Sequence, residues 1–115
     1  MKKDIGERWS EGLRSGEYEQ TQEILVRLHG DLRSYCCLGV LCDLARKDGV
    51  CRACDFQNEG SLPEVVQSWA GMASDCGLYK DGPLGWPGSL AADNDVRGLN
   101  FKQIADIIEK KINVL

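Results

Sequence analysis

The chain has 115 residues, a formal net charge of −4 and 43% hydrophobic side chains. That balance argues against intrinsic disorder and against a nucleic-acid binder held by bulk positive charge. No apolar run approaches the ~18–20 residues a membrane span needs, and the length predicts one compact domain over residues 1–115.

Lys2 and Lys3 open the chain, but Asp4, Glu7 and Arg8 interrupt a signal-peptide core at once. A cytoplasmic setting is therefore expected. There, the six cysteines read as thiols, metal ligands or redox groups and not as bridges.

Asp4 and Glu7 form a capping-box pattern, and Ile5, Trp9 and Leu13 recur on one helical face. With Gly16 as the stop, the pattern predicts a helix over 5–15. In residues 17–34, Tyr18, Leu25 and Leu28 can share a helical face. Ile24, Val26 and Leu28 can equally alternate on a strand, and the break at Gly30-Asp31 favours a short strand. Residues 35–47 are apolar almost all round, which predicts a central helix capped by Ser34 and ended by Gly49. Gly39 costs that helix about 1 kcal/mol against alanine, so another backbone is expected to pack there.

Ser61 and Glu64 form a second capping-box pattern with Pro63 in the first turn. The periodic Leu62, Val65, Val66, Trp69 and Ala70 then predict a helix over 62–70, closed by Gly71. Residues 74–98 are rich in glycine and read as loop, with a small hairpin around Asp81-Gly82. Asp93, Asn94 and Asp95 read as a capped turn, since the offsets of a calcium loop are absent. Asn100 and Gln103 cap a final helix over 100–113. The expected fold class is α+β, mostly α: four helices, one of them buried at the centre, with short strands.

The chemistry is sparser. Cys51 and Cys54 form a lone C-x-x-C. With Cys76 and His29 they could complete a tetrahedral zinc site, but no second C-x-x-C is present, and burial beside a core is the competing reading. His29-Gly30-Asp31 ahead of Cys51 and Cys54 only distantly resembles the zinc-deaminase signature: Asp31 replaces the glutamate and Val50 the proline. Arg27, Arg33 and Tyr35 flank the N-terminus of the central helix, and Tyr18 lies near Gly16. Arginine forks and aromatic faces at a helix N-terminus suit an anionic, nucleotide-like ligand, and these four are the candidate binding residues. The competing account is a solvated surface of arginines and tyrosines.

Four blocks of the sequence carry a resemblance: Ser15-Gly-Glu-Tyr-Glu-Gln, Tyr35-Cys-Cys-Leu-Gly-Val-Leu-Cys-Asp-Leu-Ala, Leu62-Pro-x-x-Val-x-x-Trp-Ala-Gly, and Asn94-Asp-x-x-Gly-Leu-x-Phe-x-x-Ile-Ala-Asp-Ile-Ile-Glu. Together they resemble a family of small uncharacterised bacteriophage and prophage proteins. The resemblance implies a phage origin and expression in the cytoplasm of a bacterial host. The expected function is binding without catalysis: a phage accessory protein that inhibits a host factor or sequesters a small anionic ligand, with no cofactor. The alternative is a small hydrolase using zinc or a cysteine nucleophile with His29. For a host-protein partner, Trp86 in the glycine-rich loop is a candidate contact; a third class is an assembly protein that forms a homo-oligomer.

Overall fold

The computed structural model describes residues 1–82 and 85–115. The described residues form five α-helices, a three-stranded sheet and a two-stranded sheet. The expected mostly-α, α+β class is what the chain adopts.

Helix α1 (Lys3–Arg14) starts two residues before the expected 5–15. The backbone of Lys2 sets this start: its N–H donates to Ala70 O and its carbonyl accepts from Gly6 N. Asp4 therefore sits inside the first turn, where a carboxylate favours the dipole, and is not the cap. Trp9, on the inward stripe, is fully buried, and its indole N–H donates to Cys37 O at 2.8 Å. That bond ties α1 to α2 (Cys37–Lys47).

Helix α2 is the centre. Every residue from Cys37 to Ala45 is buried, as its apolar circumference predicts. It begins two residues after the expected start because Ser34 and Tyr35 belong to a strand, and the cap is Cys36, whose sulfur accepts from Gly39 N. Gly49, at φ +75°, follows its last turn.

Strands β2 (Val26–His29) and β3 (Leu32–Tyr35) form a hairpin closed by Gly30-Asp31. This resolves the ambiguous 17–34 stretch towards strand. The expected alternation of Ile24, Val26 and Leu28 is only partly seen. Leu25 and Val26 are both buried, while Leu28 is exposed at the hairpin's end. Leu25 precedes the strand and docks on α2, with its carbonyl accepting from Cys36 N. A two-residue strand β1 (Glu19–Gln20) adds parallel to β3, giving the order β1-β3-β2.

Helix α3 (Glu64–Ala70) lacks the expected Ser61 cap. Leu62 N–H donates to Asp75 O, and a residue before proline prefers extended backbone, so Pro63 takes the cap position instead. Gly71 closes the helix at φ +67°. Strands β4 (Leu78–Tyr79) and β5 (Gly88–Ser89) pair antiparallel and bracket Asp81-Gly82, the site of the expected hairpin. Of the glycine-rich segment between them, Pro83 and Leu84 lie outside the described residues.

The expected loop and capped turn at Asp93–Asp95 prove to be a fifth helix, α4 (Leu90–Asp95), capped by the Ser89 hydroxyl. Helix α5 (Phe101–Lys111) has the expected reciprocal capping of Asn100 and Gln103. It packs along α1, with Ile104, Ala105 and Ile108 buried and Ser10 Oγ donating to Ala105 O. Each fully buried large aliphatic contributes roughly 1.5–3 kcal/mol against exposure.

Candidate functional site

The register of the three-stranded sheet sorts its side chains. Arg27 pairs with Ser34, His29 with Leu32, and Glu19 with Ser34. Paired residues share a face and alternate residues change face. One face therefore carries Glu19, Arg27, His29, Leu32 and Ser34. The other carries Val26, Leu28, Arg33 and Tyr35, with Val26 and Tyr35 packed into the core.

All five residues of the first face line a cavity of about 550 Å³, with Thr21 and Arg33 also on its wall. Arg27 is half-buried. Its Nε donates to Thr21 Oγ1 at 3.1 Å and its Nη2 to Gln22 O at 3.2 Å. Both partners are neutral, so the guanidinium is held in place with its charge uncompensated. Ser34, only 5% exposed, places Oγ 3.4 Å from His29 Nε2.

Of the four expected binding residues, the structure brings Arg27 and Arg33 to this cavity. Tyr35 is buried on the opposite face. Tyr18 stands edge-on to Tyr35, with ring centroids 5.1 Å apart, and its hydroxyl donates to Asp43 Oδ2 at 2.6 Å. Burial and that bond push the Tyr18 hydroxyl well above its ordinary range. The N-terminus of α2 is not free for a ligand either. Cys37 N–H donates to Asn94 Oδ1, Gly39 N–H to the Cys36 sulfur and Val40 N–H to Cys36 O. The anion-at-a-helix-end geometry expected from the sequence is replaced by a sheet face.

Three buried polar residues that the sequence did not mark as buried tie the elements together, and one of them, Asn94, reaches that face. Asp43, on α2, accepts from Tyr18 and Arg46. Asp93 accepts from Tyr79 Oη and Arg97 Nη1. Asn94 is fully buried; besides Cys37 N–H, its Oδ1 accepts from Gln20 Nε2, and its Nδ2 donates to Thr21 O. Asp95 accepts from the backbone N–H of Glu23, which has φ +75°. The Asn94-Asp95 pair thus clamps the strand β1 edge of the cavity to the start of α2.

A family model described as a domain of unknown function, DUF8296, matches residues 1–112. The chain belongs to the DUF8296 family. No curated protein and no solved structure matches it.

In this DUF8296 chain the Cys51, Cys54, Cys76 and His29 set, the alternative to a metal-free reading, is not assembled. Among the described residues no three His, Cys, Asp or Glu side chains are grouped to hold a metal ion. His29 stands on the sheet face, while Cys51 and Cys54 follow α2 and Cys76 precedes β4. Among the described residues all six cysteines are free thiols. Burial pushes the Cys36 thiol up to about 11 and raises Cys37 and Cys42 as well, which disfavours the nucleophilic thiolate. Among the described residues no helix is long and apolar enough to cross a membrane.

Proposed function

We propose that this DUF8296 protein is a phage-encoded accessory protein of the bacterial cytoplasm. It acts by binding, and it sequesters a small anionic ligand on the open face of the three-stranded sheet. The observation that carries this reading is Arg27. It is buttressed by Thr21 and Gln22 O, forms no ion pair among the described residues, and lines a cavity of about 550 Å³. That size lies within the roughly 300–1,000 Å³ of small-molecule sites. A guanidinium fork suits phosphate or carboxylate oxygens, and Arg33 adds a second cation on the wall. The phage setting rests on the four sequence blocks above. Binding is favoured over the cysteine-hydrolase alternative because His29 faces Ser34 and the thiols of α2 are buried in their neutral form.

Calorimetric titration with inorganic phosphate and a panel of linear and cyclic nucleotides tests the reading. A charge-assisted contact is worth about 1.5–3 kcal/mol. Arg27→Ala should therefore weaken binding by roughly 10- to 100-fold and leave the ligand-free melting curve in place. No heat with any of these anions refutes the reading. If, in addition, a host protein is pulled down by wild type and lost on Trp86→Ala, the function moves to a protein partner. Trp86 is 72% exposed, as such an anchor would be.

A further inference from the structure

We propose that the ligand on this sheet face is a nucleoside monophosphate, with its phosphate on Arg27 and its ribose diol on Glu19. The inference rests on the anion-binding reading above and adds the second end of the ligand.

Glu19 pairs with Ser34, and Ser34 pairs with Arg27. The three therefore form one row across β1, β3 and β2: carboxylate, hydroxyl, guanidinium. Neighbouring strands lie about 4.8 Å apart, so the ends of the row are separated by about 10 Å of backbone. Neither charge is neutralised. Among the described residues Glu19 enters no ion pair, and Arg27 donates only to a hydroxyl and a carbonyl. A sheet that used these charges for stability would set them directly opposite one another. Here Ser34 stands between them.

A ligand that covers the whole row must be anionic at one end and donate hydrogen bonds at the other. Inorganic phosphate or polyphosphate satisfies Arg27 and is repelled by Glu19. A vicinal diol has two O–H donors, and one carboxylate accepts both. The next row of the same face holds His29 and Leu32. Leu32 is 73% exposed, and with a flat imidazole beside it this row offers a surface for a base. A zwitterionic peptide also meets opposite charges. Yet Arg27 and Arg33 against Glu19 leave a net positive wall, which suits a phosphate dianion better than a single carboxylate.

The test is calorimetry on the intact chain with four probes: a ribonucleoside 5′-monophosphate, its 2′,3′-dideoxy counterpart, inorganic phosphate and a zwitterionic tripeptide. Wild type should bind the ribonucleotide at least about tenfold tighter than the dideoxy form, one charge-assisted bond being worth that much. Glu19→Ala should abolish the discrimination and, with the repelling carboxylate gone, bind inorganic phosphate at least as tightly as wild type. Arg27→Ala should weaken both nucleotides and phosphate. The ligand-free melting curves of both variants should match wild type. The inference is overturned if wild type does not discriminate, if the discrimination survives in Glu19→Ala, or if the tripeptide binds in a manner that needs both residues. In those cases phosphate binding that depends on Arg27 leaves the anion site standing. Failure of every anion to bind removes the site and the inference together.

Discussion

Replacing Gly39 by alanine should destabilise the chain, although alanine is the better helix former. Gly39 lies in the first turn of α2 against the backbone of Leu25. A Cβ added there would sit on the Leu25 carbonyl oxygen, 2.7 Å from its carbon and 3.2 Å from its Cα. Ordinary carbon contacts are about 3.5–4.0 Å, so α2 and the start of β2 must separate by roughly 1 Å. The obstacle is backbone, not the end of a flexible side chain, which places the cost near the upper end of overpacking, about 3 kcal/mol. The same carbonyl accepts the Cys36 N–H at 3.2 Å, and losing that bond adds about 1 kcal/mol. Helix propensity returns about 1 kcal/mol. The net is a loss of about 3 kcal/mol, or roughly 10 °C in Tm for a chain of this size. Gly12→Ala is the matched control. Its Cβ would meet Val40 Cγ1 at 3.6 Å and Tyr18 Cε2 at 3.8 Å, ordinary contacts, so it should stabilise by about 0.5–1 kcal/mol. Thermal melts of the two variants decide. A Gly39→Ala melt equal to or above wild type would refute the close approach of α2 to Leu25.

Asn94→Ala should cost about 3 kcal/mol in denaturant melts, because it orphans Cys37 N–H and Thr21 O inside the protein at about 1–3 kcal/mol each; Asn94→Asp, which buries a carboxylate oxygen against Thr21 O and Asp95 Oδ1, should cost at least as much near neutral pH. Thiol labelling of native protein near neutral pH should modify Cys54, then Cys51 and Cys76, and spare Cys36, Cys37 and Cys42 until the chain unfolds; fast modification of any of the last three would contradict the buried helix. Stability should be full below about pH 9 and fall as pH rises towards about 11. Burial lifts Cys36 from 9.0 to about 11, so the unfolded chain releases a proton that the folded chain keeps, and Cys37 and Cys42 shift the same way. A denaturation midpoint that stays constant across that window would contradict this.

The long elements were legible in the sequence because their signals are redundant. Helix α5 has reciprocal caps at Asn100 and Gln103 and an inward stripe of Phe101, Ile104 and Ile108. In α2, continuous apolar character and a central glycine together indicated burial and a close neighbour. Helix α4 was not legible. Six residues give under two turns of periodicity, and its polar end, Asp93 and Asn94, is buried and bonded to residues more than 50 positions away as well as to near neighbours. The site was half legible. Arg27 and Arg33 stood out by charge, but only register separates them. The two-residue turn at Gly30-Asp31 pairs His29 with Leu32 and so Arg27 with Ser34, and that turn was the signal for grouping Arg27 with His29 and Ser34. Nothing local marks Glu19. A two-residue parallel strand has no periodicity, and its place beside β3 depends on Asn94.

The candidate row is held from both ends by the central helix, through different contacts. At the Arg27 end, β2 leaves Leu25, whose carbonyl lies against Gly39 and accepts from Cys36 N–H. At the Glu19 end, Gln20 and Thr21 are tied to Asn94, which in turn caps Cys37. Side chains locked by packing and outer hydrogen bonds keep a binding geometry within fractions of an ångström. Gly39→Ala should therefore move Arg27 relative to Glu19 even where the chain stays folded, and weaken a ligand that spans both more than one that touches Arg27 alone. Inorganic phosphate and a ribonucleoside monophosphate, titrated below the melting temperature, separate the two effects. Equal weakening of both, or of neither, would mean that the distance between the two edge strands does not govern recognition.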